Sequence, residues 1–249
     1  MKRQIRSEVL KLRSTRTTIG LVLGLLGLVL FTVIVQLIAS RVDGANEFRL
    51  ADEDTQRSIL GSAGLATLFA ILLGILAITN EFRHGTIRPT LLFEPAREIV
   101  IGAKGVASGI TGLLLGLAAV VLTFAITLVW MTIEDVGRAL TGAELLEMAA
   151  GIVTATLLWG VIGVGVGAVI RNQVGAIVST IVWSLLPAPL LQNLYPEVGR
   201  FTPSAASDAL SGSSDSDLLS PATGGLVLVL WAVMFVVAGA AVTAARDVP

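Results

Sequence analysis

The chain has 249 residues, 54% of them hydrophobic and 14% charged, with a mean hydropathy of +0.86 and a formal net charge of -1. Soluble domains carry about a quarter of their residues as charges, so this composition excludes an ordinary soluble domain and points to a bilayer. Cysteine is absent and His84 is the one histidine, which excludes disulfides, cysteine redox or metal chemistry and a histidine-rich metal centre.

A helix that crosses a bilayer needs about 20 mostly apolar residues, because hydrocarbon satisfies no stray backbone group. Six stretches meet that length, at 19–38, 59–79, 105–131, 148–170, 174–194 and 225–245, and none holds Asp, Glu, Lys, Arg or His. The expected fold class is an all-α polytopic membrane protein, with residues 1–249 forming one transmembrane domain.

Residues 2–18, ahead of the first span, are basic and amphipathic. Ile5, Val9 and Leu12 recur at helical spacing with Leu10 beside them, and six Lys and Arg cover the rest. This predicts an interfacial helix that rests on anionic lipid or also touches a cytoplasmic partner. The apolar run that follows is too long for a cleaved signal, and Leu37-Ile38-Ala39 is a poor cleavage site.

Between the second and third spans lies the longest cytoplasmic loop, 80–104. Thr86 can cap a helix with Pro89 in its first turn, and Pro95 disfavours helix at Glu94. The result is a short helix with Leu91, Leu92 and Phe93 on its surface. That ridge docks in a partner's groove or folds back on the bilayer.

The turn at 171–173 is short enough to make spans four and five a tight antiparallel hairpin. Pro187 and Pro189 break the end of span five, and residues 194–223 carry Tyr195-Pro196, Phe201-Thr202-Pro203 and a Ser/Gly/Asp-rich run. Apolar residues persist past the first proline, which predicts a re-entrant or interfacial element at the outer face.

Orientation follows from Lys and Arg, which accumulate on cytoplasmic segments. With the N-terminus inside, twelve of the seventeen lie inside and five outside, while thirteen of the eighteen acids lie outside. Both termini are therefore expected in the cytoplasm, with the chain in the plasma or inner membrane.

Gly20/Gly24, Gly112/Gly116 and Gly163/Gly167 are G-x-x-x-G pairs, with Gly160 on the face of Gly163. Such faces bring helices close within a chain or across a homodimer seam. Trp159 and Trp183 fall near mid-membrane, whereas Trp130 fits the interfacial belt. The two mid-membrane indoles pack between helices or, with Phe124, line a pathway for an apolar substrate.

Gly102-Ala103-Lys104-Gly105 lacks the upstream glycine and the Ser or Thr of a phosphate loop. There is no G-x-S-x-G and no H-E-x-x-H, so no enzyme is expected in this chain and no cofactor bound to it. Carriers driven by protons or sodium keep ionisable groups in the membrane. The six runs hold none, which leaves a passive pore or carrier, a scaffold or sensor, or a subunit powered by another protein.

Two stretches carry a resemblance. Glu81-Phe82-Arg83-His84-Gly85-Thr86, followed by Thr90-Leu91-Leu92, Pro95, Arg97 and Lys104, resembles the loop between spans two and three of ABC type-2 transporter permeases. Glu8-Val9-Leu10-Lys11-Leu12-Arg13-Ser14-Thr15-Arg16 resembles the interfacial helix that opens those permeases. The resemblance implies a coupling helix seated on a separate ABC ATPase subunit, which would bind the ATP and Mg. Glu81, Arg83, Gly85 and Thr86 would shape the turn into that helix, and Arg88, Leu91 and Leu92 would contact the ATPase. It further implies a second permease copy, a substrate path along spans two and five, and an outer gate near Pro187, Pro189 and Tyr195. The lipid bilayer is the remaining partner, and no nucleic acid is expected.

Overall fold

The computed structural model describes residues 7–10, 16–41, 49–86, 97–213 and 217–245. Residues 7–10 are helical. Helices α1 (Arg16–Ala39), α2 (Glu53–Gly61), α3 (Ala66–Arg83), α4 (Arg97–Ile133) and α5 (Gly142–Ile170) follow in order. After them come α6 (Gln173–Leu185), α7 (Pro187–Leu194), α8 (Pro196–Gly199), α9 (Pro203–Leu210) and α10 (Pro221–Ala245). Among the described residues a single 3-10 stretch, Ser62–Leu65, joins α2 to α3, and no strand occurs.

Among the described residues, six helical segments are long and apolar enough to cross a membrane: Arg16–Ala39, Glu53–Arg83, Glu98–Ile133, Gly142–Ile170, Gln173–Leu194 and Pro221–Ala245. They match the six apolar runs one for one, and the architecture is compatible with a multi-pass membrane protein. The helices extend past those runs at several ends, because backbone hydrogen bonding does not stop where hydrophobicity does. The second begins at Glu53 and Asp54 rather than at 59, with both acids in the first turn where the helix dipole favours them. The third begins near Arg97 rather than at 105, which takes Lys104 into a continuous helix.

Local signals explain several ends. Thr141 and Glu144 form a reciprocal capping box at the start of α5, with the Thr141 backbone N–H donating to Glu144 Oε2 at 2.8 Å. Arg171 closes α5 in the left-handed region at φ 57, its N–H donating to the Gly167 carbonyl. Asn172 then caps α6 by accepting from the Gly175 N–H at 2.8 Å. Only Arg171 and Asn172 separate the two helices. The fifth segment is interrupted at Leu186, ahead of Pro187, because proline restricts the residue before it and supplies no N–H. Beyond the break, α7, α8 and α9 fold as short helices tied by Gln192, whose amide donates to Thr202 Oγ1 at 3.1 Å and Ser204 Oγ at 3.0 Å.

The fourth segment is central and packs on the second, third and sixth. Glycine permits the approach: a Cβ at Gly163 would meet the Ile71 carbonyl of α3, and one at Gly112 would meet the Thr156 carbonyl of α5. The pairs Gly112/Gly116 and Gly163/Gly167 thus serve packing within the chain, whereas Gly20 has nothing near it. The third segment runs antiparallel to the fourth, and the second and sixth run parallel to it.

Candidate functional site

Residues 7–10, Arg83, Lys104, Arg171 and the end of α10 meet at one end of the bundle, here called the basic end. Lys104 lies in an apolar stretch of α4 and is 1% exposed. Its ammonium contacts Glu8 Oε2 at 2.6 Å and Glu81 Oε1 at 2.8 Å, and donates to the Ala77 carbonyl at 3.3 Å. Glu8 and Glu81 are themselves buried. One cation therefore joins three segments: the helical turn at 7–10, the end of α3 and the start of α4. Each charge is too poorly hydrated to stand alone, so the ions hold one another in place.

Further polar contacts surround this joint. Arg83 is exposed and donates to Gln173 Oε1 at 3.2 Å, linking α3 to α6. The ring of His84 lies 2.8 Å from the Asn80 carbonyl. Gly85 follows at φ 67, a left-handed conformation that turns the chain away from α3 where a side chain would be strained. The Arg171 guanidinium lies 5.1 Å from the Phe82 ring and donates to the Val242 carbonyl at 3.1 Å, which ties α5, α3 and α10 together. Glu8, Thr17, Asn80, Glu81, Arg83 and Thr86 share the wall of a cavity of about 580 Å³.

Glu81, Arg83, Gly85 and Thr86 therefore gather at the mouth of the loop. Arg88, Leu91 and Leu92, with the whole short helix expected over that loop, lie outside the described residues. Glu81 turns inward to Lys104 rather than standing on the turn alone. Of the amphipathic stretch 2–18, only 7–10 and 16–18 are described. There Leu10 is exposed, and Glu8 and Thr18 are buried.

Sequence reasoning missed Glu8 and Lys104 as a pair. Lys104 read as a loop cation beside an incomplete phosphate loop, and Glu8 as the first residue of the stretch that resembles an interfacial helix. Two signals were present: an isolated lysine inside the apolar run 99–110, and the only acid in the basic N-terminal segment.

The aromatic residues separate into two places. Trp159 and Trp183 line one cavity of about 310 Å³, together with Trp231, Phe235 and Ile71. Phe124 is not in that wall; it packs against Leu60, Leu140 and Met148 and, like Trp159, against the cluster around Leu25, Leu73 and Ile152. Trp130 sits towards the opposite, acidic end, with the Arg41 guanidinium 4.5 Å from its ring and Arg41 paired with Glu134. Pro187 and Pro189 lie in the first turn of α7, and Tyr195 ends it, largely exposed.

No group of three or more His, Cys, Asp or Glu that could hold a metal ion occurs among the described residues. The fold and these sites define an all-helical chain with six membrane-length helices, an ionic joint at one end and an aromatic cavity within. No protein-family model matches the chain, and no curated protein matches it.

Proposed function

We propose that this chain is the membrane-spanning subunit of an ATP-binding cassette exporter, working as a homodimer with ATPase subunits encoded separately. The observation that carries the reading is the joint at Lys104. It binds the N-terminal helical turn, the end of α3 and the start of α4, and so brackets the 84–96 loop on both sides. A partner that pushes on the loop moves two membrane-length helices and the N-terminal turn as one rigid body. ATP would be hydrolysed on the partner, with both termini and the loop in the cytoplasm, as the distribution of Lys and Arg favours.

Two further features support the reading. Ile71 of the second segment and Trp183 of the fifth line the same cavity, in keeping with a path along spans two and five. The fifth segment has 11% of its apolar window buried within the chain, against 61% for the fourth. It therefore has surface to share with a second copy and with lipid. The apolar walls suit an apolar or amphipathic substrate.

The test is ATP-dependent export from proteoliposomes by the permease reconstituted with its ATPase. Arg83→Glu and Leu91→Asp are expected to abolish export while leaving insertion intact. Normal export by either variant overturns the docking assignment. Equal flux from the purified chain alone, without nucleotide, overturns the exporter reading in favour of a passive carrier.

A further inference from the structure

We propose that the cavity between the start of α1 and the end of α3 binds a glycerophospholipid of the leaflet at the basic end, with Arg83, Thr17 and Thr18 holding its phosphodiester. The volume of about 580 Å³ lies within the range for ligand pockets. The wall changes character along α3. Leu73 and Leu76 lie inside the second membrane-length segment, and Asn80 and Arg83 lie at its end. From Leu73 to Asn80 the helix rises about 10 Å, which carries the wall from acyl-chain depth to headgroup depth. Thr17 and Thr18 face the same cavity from the start of the first segment, Arg16–Ala39.

The polar groups of the wall suit an anion. Glu8 and Glu81 line the cavity, and both contact the Lys104 ammonium. Arg83 differs: it donates once, to Gln173 Oε1 at 3.2 Å, and makes no ion pair among the described residues. The rest of its guanidinium fork matches the paired oxygens of a phosphate. Thr18 is 9% exposed and lines the cavity. Its hydroxyl, that of Thr17 and the side-chain amide of Asn80 have no hydrogen-bond partner among the described residues. A threonine within a helix can satisfy its hydroxyl on the preceding turn, as Thr79 does on the Ile75 carbonyl at 2.8 Å. Thr18 does not, and a buried hydroxyl without a partner is costly. Phosphate oxygens supply the acceptor that removes this cost.

The apolar half of the wall decides between a lipid and a free phosphate. A free anion would occupy the polar end and leave Leu73 and Leu76 uncovered, whereas a lipid covers both ends with one molecule. Thr17 and Arg83 are exposed, so the polar end is open. The site adjoins the Lys104 joint but does not rest on the exporter reading, and it is tested without nucleotide or ATPase.

The experiment uses the full chain in detergent, with bound lipid counted by native mass spectrometry. Dioleoylphosphatidylmethanol carries a phosphodiester and no other headgroup function, dioleoylglycerol has the same chains without phosphate, and dimethyl phosphate has the phosphate without the chains. Saturable binding of one phosphatidylmethanol per chain is expected, about tenfold tighter than dioleoylglycerol, from the contacts to phosphate. Arg83→Gln is expected to remove that preference and leave dioleoylglycerol unchanged. Thr18→Val is expected to weaken the phospholipid by about threefold, and Arg41→Gln, at the acidic end, to change neither lipid. Dimethyl phosphate in large excess is expected to leave the lipid bound, and displacement at equal concentration overturns the lipid in favour of a free phosphate. Uptake of lipid without saturation, as in an annular belt, overturns the site. Equal affinity for the two lipids in the unmodified chain, a measurement that needs no variant to fold, overturns the phosphate contact. A tenfold preference that survives Arg83→Gln overturns the role of Arg83.

Discussion

The two ends of the bundle carry the same motif in different surroundings. At the basic end one cation, Lys104, lies between Glu8 and Glu81 with 1%, 7% and 9% of those side chains exposed. At the acidic end one cation, Arg57, lies between Glu53 and Glu144 with 18%, 54% and 38% exposed. Both join separate segments: Arg57 links α2 to α5 and also donates to the Gly212 carbonyl at 3.4 Å. Geometry alone would rank them as equals. Solvent makes the difference, since water screens the Arg57 contacts and reaches the Lys104 contacts hardly at all. The first is a fastening that can be lost at small cost. The second loses more with any one member, because all three of its charged groups are buried.

That contrast is broken most severely by Lys104→Met, which removes the buried cation that Glu8 and Glu81 both contact. A loss of about 3–5 kcal/mol is expected, read as a lowered midpoint in detergent denaturation. Adding Glu8→Gln and Glu81→Gln to the same chain is expected to restore most of it, because neutral amides remove the buried negative charge. A lack of rescue would mean that Lys104 acts by packing rather than by charge.

Gly163→Leu tests packing against electrostatics. It forces a side chain into the Ile71 carbonyl of α3 and is expected to cost about 1–3 kcal/mol in the same assay. Gly20→Leu, where nothing lies within reach, is expected to be near neutral in the single chain.

Arg57→Ala is the smallest of these effects, at about 0.2–1 kcal/mol, and salt is expected to shrink it further. A loss as large as that of Lys104→Met would show that the acidic end is desolvated to the same degree, and the contrast would fail. Under the exporter reading the two ends also separate by function. Glu8→Gln is expected to reduce export several-fold while leaving insertion intact, and Arg57→Ala to leave export within about twofold, in line with the small cost of losing an exposed pair.

Much of the architecture was legible without coordinates. Six apolar runs gave six membrane-length helices, and Pro187 gave the break in the fifth. These features depend on neighbours in sequence: the length of an apolar run, a capping side chain, a missing N–H. The joint was less legible, because Glu8 and Lys104 lie 96 residues apart and each had a plausible solvated role alone. Phe124 shows the same limit in reverse. Composition and depth made it a companion to Trp183, and helix packing put it beside Leu60 and Met148 instead.

The amino-acid order by itself determined that this chain consists of helices suited to a bilayer, since hydrocarbon leaves the backbone no other partner than itself. Tertiary packing alone decided which charges are hidden and which indoles share a wall, since burial belongs to the assembled bundle and not to any one segment.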